Sequence, residues 1–173
     1  VDALKVPEEH IGWVLSSFAL PAVFLAPVAG FLSDFYGRKF ILVSCLFLYG
    51  VSGGLIVLAD SFTILLVLRF LQGVAYAGIM PLVVVLIGDT FKGEQEATAQ
   101  GMKVVLDRVA LLMIPVASGL LGAIAWQMPF VLYFLAIPIA LIAWVKLPET
   151  YLERNSTTLK YVREVFDKSI RPR

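Results

Sequence analysis

A single arginine inside a long apolar stretch is the first residue whose type and position suggest chemistry. Arg69 is the only charged residue between positions 62 and 88. A guanidinium near the middle of a bilayer costs about 2.5–3.5 kcal/mol on insertion scales, so such a residue usually has a functional reason. Helical spacing places Gln72, Gly73 and Tyr76 on the same face. Hydrogen-bond donors, an aromatic ring and a glycine gap on one face predict the wall of a polar cavity.

A purely structural explanation of Arg69 stays open. A position seven residues into a helix lies about 10 Å deep at 1.5 Å per residue. From that depth a long basic side chain can extend back to the membrane surface while its aliphatic stem stays in the hydrocarbon.

A second group of chemically informative residues lies in the short segment 30–39, which reads GFLSDFYGRK. Asp34 and Arg38 are four residues apart and can form an ion pair if the helix continues that far. The aspartate can also meet the N-terminus of another helix, where the helix dipole favours an anion. Contacts of this kind can form in one conformation and break in another. They predict a conformational-switch loop made of Gly30, Asp34, Gly37, Arg38 and Lys39, with a simple basic turn at the membrane surface as the alternative.

Other kinds of chemistry find no support in the sequence. There is one cysteine, Cys45, and we find no nucleophile–base pair, no metal-ligand cluster and no phosphate-binding loop. We therefore expect no enzymatic activity, no metal and no cofactor. The net charge of +1 gives no reason to expect a nucleic-acid partner. Asp89, Glu94 and Glu96 are interpreted as loop charges.

The elements that position these residues are membrane spans. The chain of 173 residues is 60% hydrophobic and 16% charged, with a mean hydropathy of +0.88, whereas soluble domains are about 45–50% apolar and about 25% charged. A helix that crosses a bilayer needs roughly 20 apolar residues. Five stretches qualify, at about 11–32, 40–59, 62–88, 104–125 and 129–147. They predict an all-α membrane protein in which a bundle of five transmembrane helices occupies residues 11–147.

The two ends of the chain differ from this bundle. Residues 1–10 form a lead-in to the first span. Residues 148–173 are polar, but apolar side chains recur there at helical spacing, at Leu159, Val162, Phe166 and Ile170. This pattern favours a linker with a short amphipathic helix on the membrane surface, and a partly ordered tail is the alternative.

The distribution of basic residues predicts the orientation of the bundle. Short connections make successive spans antiparallel, and cytoplasmic loops carry an excess of Lys and Arg. If the N-terminus is outside, twelve basic residues lie inside and only Lys5 lies outside. The twelve are Arg38, Lys39, Lys92, Lys103, Arg108, Lys146, Arg154, Lys160, Arg163, Lys168, Arg171 and Arg173. We therefore predict a multi-pass protein of the cell membrane with its C-terminus in the cytoplasm.

The switch-loop segment closely resembles the signature of the major facilitator superfamily, G-x-L-[SA]-D-x-x-G-R-[KR]. The matching residues are Gly30, Leu32, Ser33, Asp34, Gly37, Arg38 and Lys39. The stretch around Arg69, Gln72 and Gly73 is similar to the family's fourth-helix motif, in which the arginine is implicated in proton coupling or in the electrostatics of the substrate site. The resemblance thus makes Arg69, Gln72, Gly73 and Tyr76 candidates for substrate binding or proton coupling.

Further likeness extends over residues 6–150. Pro115 and Gly119 resemble part of the family's antiporter motif on the fifth helix, although Ile114 replaces a glycine of that pattern. From the residues alone they indicate a kinked helix with a small packing face. Trp126, Pro129 and Phe130 are similar to the family's W-x-x-P-F before the sixth helix.

The resemblance implies that the chain is a fragment of a secondary active transporter. In this family two six-helix halves rock about a central site, which gives alternating access. The spans would be the family's second to sixth helices, so that the first helix and the C-terminal half are missing. The motifs are most similar to those of drug:proton antiporters, which implies proton-coupled efflux of small amphiphilic molecules or drugs, with the lipid bilayer, substrate and protons as partners. A non-transporting membrane interaction or scaffold protein is the alternative.

Overall fold

The computed structural model describes residues 10–147, and most of these residues are helical. The predicted lead-in and amphipathic helix lie outside the described residues. The helices are α1 (Ile11–Tyr36), α2 (Arg38–Leu55), α3 (Phe62–Thr90), α4 (Glu94–Gly122) and α5 (Ala136–Lys146), with 3-10 segments at Ile56–Leu58 and Met128–Leu135. Counting Met128–Lys146 as one span, five helices are long and apolar enough to cross a membrane. The predicted five-helix membrane architecture is confirmed.

Helix α3 is the central element of the bundle. It packs along α1 on one side and along α2 on the other, and α2 in turn packs on α5 and on the 3-10 segment before it. One buried cluster joins α2 and α3 through Leu42, Ile79, Leu82 and Leu86. Lipid tails are as apolar as the side chains of the helices, so the hydrophobic effect does not drive helices together within a membrane. Close packing of this kind holds them together instead.

Helix α4 begins ten residues before the apolar span that the sequence predicts. Residues 94–103 are polar, so an apolar pattern does not detect them, but most of them are good helix formers. Glu94 and Glu96 lie in the first turn, where the helix dipole favours negative charge. The chain turns into α4 at Gly93, whose φ of 59° suits glycine. The two glutamates are therefore helical and are not loop charges.

The fifth span is divided by proline chemistry. Pro138 has no backbone N–H, so it cannot donate the hydrogen bond that would continue an α-helix from the preceding turn. The segment before it, Met128–Leu135, is a 3-10 helix, and α5 starts only at Ala136. The tighter winding of this segment sets the direction of the aromatic side chains that it carries toward α2 and α3.

Candidate functional site

Arg69 points into the bundle, where a polar and an aromatic partner hold its guanidinium. Its Nη1 donates a hydrogen bond to Oε1 of Gln72 at 3.0 Å. Its guanidinium carbon lies 5.1 Å from the centre of the Phe130 ring, a cation–π contact with the 3-10 segment. The side chain is half-buried. Its position between α3 and this segment does not match a side chain that extends into lipid.

Gln72 is completely buried and only half satisfied. Its exposed fraction is 0%. While Oε1 accepts from Arg69, Nε2 has no hydrogen-bond partner within residues 10–147, and the same is true of Arg69 Nε. Buried donors without acceptors are uncommon in folded proteins and cost about 1–3 kcal/mol each. Gln72 Nε2 and Arg69 Nε are thus two buried nitrogen donors without an acceptor among residues 10–147.

Aromatic rings surround this pair. Tyr49 lies 6.1 Å from Tyr76 and 5.4 Å from Tyr133, measured between ring centres. Tyr76 also meets the Phe18 ring of α1 at 5.3 Å. The space for Tyr133 comes from Gly53, since a Cβ at that position would lie 2.6 Å from Tyr133 Cγ and 2.5 Å from Gln72 Nε2. Gln72 therefore lies beside Tyr133 of the 3-10 segment, and Phe130 of the same segment contacts Arg69.

The predicted stripe along α3 is divided between two neighbouring helices. Arg69 and Gln72 face the 3-10 segment and α2, whereas Gly73 is buried against Phe18 and Pro21 of α1. Tyr76 bridges the two sides through its ring contacts. In the part of the chain that the structure describes, the stripe is thus packed by helices, and its exposure to a water-filled cavity stays a prediction.

The switch-loop residues lie near the C-terminal end of α3. Arg38 pairs with Asp34 at 3.7 Å and also makes a closer ion pair with Asp89. Gly37, whose φ is 92°, separates α1 from α2 and lets Arg38 start the second helix directly after the turn. One guanidinium thereby joins the ends of α1, α2 and α3.

Asp89 is a functional candidate that sequence analysis missed. The interpretation of Asp89 as a loop charge is wrong, because it lies in the last turns of α3 and its side chain is only 14% exposed. Arg38 itself is 8% exposed. The only sequence signal is that Asp89 follows an apolar span directly, at the same membrane end as the basic loop, so its partner becomes evident only once α2 and α3 are packed.

Gly30 and Lys39, predicted as loop residues, lie inside helices α1 and α2. Gly30 lies near the end of α1, where its carbonyl accepts a hydrogen bond from Ser33 Oγ at 2.6 Å. The Lys39 ammonium lies 5.5 Å from the centre of the Trp144 ring. Pro115 and Gly119 lie within α4, which has no buried residue among those described. The structure brings neither of them near Arg69.

The fold defines a polytopic helical membrane protein with two internal charged groups, and comparison with known sequences identifies its family. The profile of the Major Facilitator Superfamily matches residues 1–171. The chain therefore belongs to this family.

Individual relatives are named as an exporter, a multidrug transporter and a drug-resistance protein. The chain is 31% identical to the bacillibactin exporter of Bacillus subtilis (strain 168) over 134 residues, which cover 73% of the chain and 33% of that protein. It is 28% identical to the multidrug transporter protein MdtP of the same strain, over 84% of the chain and 26% of that protein. It is 27% identical to the quinolone resistance protein NorA of Staphylococcus aureus (strain MRSA252), over 73% of the chain and 33% of that protein. The chain thus spans a third or less of the length of these relatives.

Proposed function

We propose that this chain is part of a secondary active transporter that exports small amphiphilic molecules in exchange for protons. The family supports transport, and the names of the relatives support export of drugs or siderophores. No observation favours the scaffold alternative. The observation that carries the proposal is the buried Arg69–Gln72 pair with its two unsatisfied donors.

Arg69 acts in this proposal as a fixed positive charge. A guanidinium does not release its proton at any pH that the cell reaches, so Arg69 is not the proton carrier. It stabilises an anionic or carbonyl-bearing group, either on the substrate or on a carboxyl group that exchanges protons. The donors on Gln72 and Arg69 orient the bound group. The rings of Tyr49, Tyr76 and Tyr133 provide apolar contact for an amphiphile.

The Arg38 cluster is the conformational element of the proposal. An ion pair that joins the ends of three helices holds one arrangement of the bundle and must loosen for another. Alternating access requires such a pair of arrangements. Gly37, the one residue between α1 and α2, is the point at which the two helix ends can turn, and Gly30 and Lys39 lie in the flanking helices.

Substitution of Arg69 in the full-length protein tests the proposal. We expect Arg69→Ala to abolish proton-gradient-driven efflux of a fluorescent amphiphilic dye that carries a carbonyl or carboxylate group from vesicles, while membrane insertion is unchanged. Arg69→Lys keeps the charge but loses the planar fork, so we expect partial activity. Arg108→Ala, which removes an exposed arginine of α4, is the matched control and keeps its flux. Wild-type flux in Arg69→Ala would refute the role.

Water access is tested separately by labelling a cysteine with a membrane-impermeant maleimide in the protein with Cys45 replaced by serine. Tyr76→Cys is the suitable position, because a side chain at Gly73 would collide with the backbone of Phe18. We expect labelling that substrate slows. Labelling by lipid-soluble reagents alone would contradict a cavity.

A further inference from the structure

An open apolar groove lies between α2 and α5. Of the residues described above, Trp144 lines it and Lys39 lies beside Trp144. Its volume is about 390 Å³. Its lining comes from one face of each helix: Val43, Ser44, Phe47, Ala140, Leu141 and Trp144. The side of α2 that contacts α3 carries Leu42 and Tyr49 instead. The groove therefore faces the surroundings of the bundle and not its interior.

The rim of the groove at one membrane end is basic and aromatic. Helix α2 begins at Arg38 and α5 ends at Lys146, so both helix ends with their lysines lie at the same end of the bundle. The Lys39 ammonium lies over the indole of Trp144 at 5.5 Å from the ring centre. Arg38 is held by two carboxylates, and Lys146 lies about 200° around α5 from Trp144 and so faces away from the groove. Lys39 is therefore the cation that can serve an outside ligand here.

We propose that this groove binds one anionic phospholipid of the leaflet on the Lys39 side. The phosphate lies at Lys39, and one acyl chain lies along Val43 and Phe47, one and two helical turns below Lys39. Trp144 packs at the level of the headgroup, where tryptophan is enriched in membrane proteins. This inference rests on the membrane-spanning helices alone and is independent of the proposed transport function.

Ser44 supports a lipid over a purely apolar neighbour. It is the polar residue of the lining and is exposed to the groove. It lies five residues beyond Lys39, about 7.5 Å along the helix axis toward the interior of the bilayer. Its hydroxyl can donate to an ester carbonyl there. A helix from a second copy of the chain would leave Lys39 opposite an unspecified surface, so charge complementarity favours the lipid.

Fluorescence quenching by brominated lipids tests the inference, because Trp144 lies in the groove. The full-length protein is reconstituted in phosphatidylcholine bilayers that contain either brominated phosphatidylglycerol or brominated phosphatidylcholine. The Trp144 signal is the difference between the parent protein and Trp144→Phe. We expect phosphatidylglycerol to have the higher relative binding constant and Lys39→Gln to lower that constant about fivefold, whereas Lys146→Gln, on the face of α5 that points away from the groove, leaves it unchanged. Lys92→Gln, a basic residue outside the groove, is the matched control and leaves it unchanged.

Three results would overturn the inference. Equal quenching of Trp144 by the two brominated lipids would mean an ordinary lipid contact without a site. An equal loss of phosphatidylglycerol preference in Lys92→Gln would mean diffuse attraction to a basic surface. No quenching of Trp144 by either lipid would mean that protein covers the groove. Efflux activity enters none of these measurements, so a failure of the transport proposal is recognised separately.

Discussion

The guanidinium of Arg69 lies over the ring of Phe130, 5.1 Å from its centre, although 60 residues separate the two in the chain. Gln72 holds the same guanidinium from the other side through a hydrogen bond of 3.0 Å. A cation in a weakly polar environment is stabilised by the negative face of an aromatic ring. The contact links the motif on α3 to the Trp126–Phe130 segment. We expect Phe130 of this segment to help position the arginine.

Replacement of Phe130 is therefore expected to affect transport in a graded way. Phe130→Leu keeps the apolar volume but removes the aromatic face, and we expect it to lower gradient-driven efflux about tenfold, since a desolvated cation–π contact is worth about 1–2 kcal/mol. Phe130→Tyr keeps the face and is expected to retain activity. Dye efflux from vesicles measures both variants.

The control for this experiment is Phe24→Leu, which removes a ring from the exposed side of α1. It is expected to transport like the parent. In an Arg69→Lys background, Phe130→Leu is expected to reduce efflux by a smaller factor than it does in the parent protein, because the two side chains share one interaction. Full additivity in this cycle would contradict a positioning role for Phe130.

Substitution at Gly53 is expected to destabilise the bundle. Gly53→Ala would place a methyl group 2.5 Å from Gln72 Nε2 and 2.6 Å from Tyr133 Cγ, and overpacking of this kind costs about 1–3 kcal/mol. Thermal unfolding in detergent, followed by size-exclusion chromatography after heating, measures the loss. Gly12→Ala, where a Cβ would meet nothing within 4 Å, serves as the control. If both variants unfold at the temperature of the parent, the close contact is not required.

Local spacing predicts much of this site and tertiary packing decides the rest. Arg69 and Gln72 are three residues apart on one helix, and their contact follows from that spacing. Phe130 and Asp89 could not be matched to their arginines from the sequence, because each pair depends on how separate helices pack. Gly73 shows a subtler limit. It is only about 100° around the helix from Gln72, yet this angle suffices to direct it to α1 while Gln72 faces α2.

The same reasoning applies to the ends of elements. Apolar runs identify the membrane-embedded part of α4 but not its polar first turns, which continue to Glu94. Proline positions indicate local disruption, but only the structure reveals that the chain before Pro138 becomes a 3-10 segment. That segment carries both Phe130 and Tyr133 to the arginine site, so its unusual winding contributes directly to the geometry around Arg69.

The two carboxylates on Arg38 provide a matched pair for a stability experiment. The Asp89 side chain is 14% exposed, whereas the Asp34 side chain is 61% exposed. Removing one partner of a buried ion pair costs about 3 kcal/mol or more because it strands the other charge, so we expect Asp89→Asn to lower thermal stability clearly. An exposed ion pair is worth at most about 1 kcal/mol, so Asp34→Asn is expected to be mild.

Thermal unfolding in detergent measures the difference between these variants. High salt screens the exposed pair more than the buried one, so the effect of Asp34→Asn should shrink with added salt while that of Asp89→Asn persists. Equal losses in the two variants, with equal salt dependence, would mean that burial does not distinguish the two contacts.

The orientation predicted from the basic residues is tested by cysteine labelling in intact cells, in the protein with Cys45 replaced by serine. Asp60 lies in the exposed turn before α3, and Lys92 lies in the exposed turn after it. Since α3 separates the two positions by the length of a membrane span, they must lie on opposite sides. We expect a membrane-impermeant maleimide to label Asp60→Cys from outside and to reach Lys92→Cys only after the membrane is permeabilised. The reverse pattern would place the Arg38 cluster and the rim of the lipid groove at the outer surface, and with them the leaflet from which the groove draws its phospholipid.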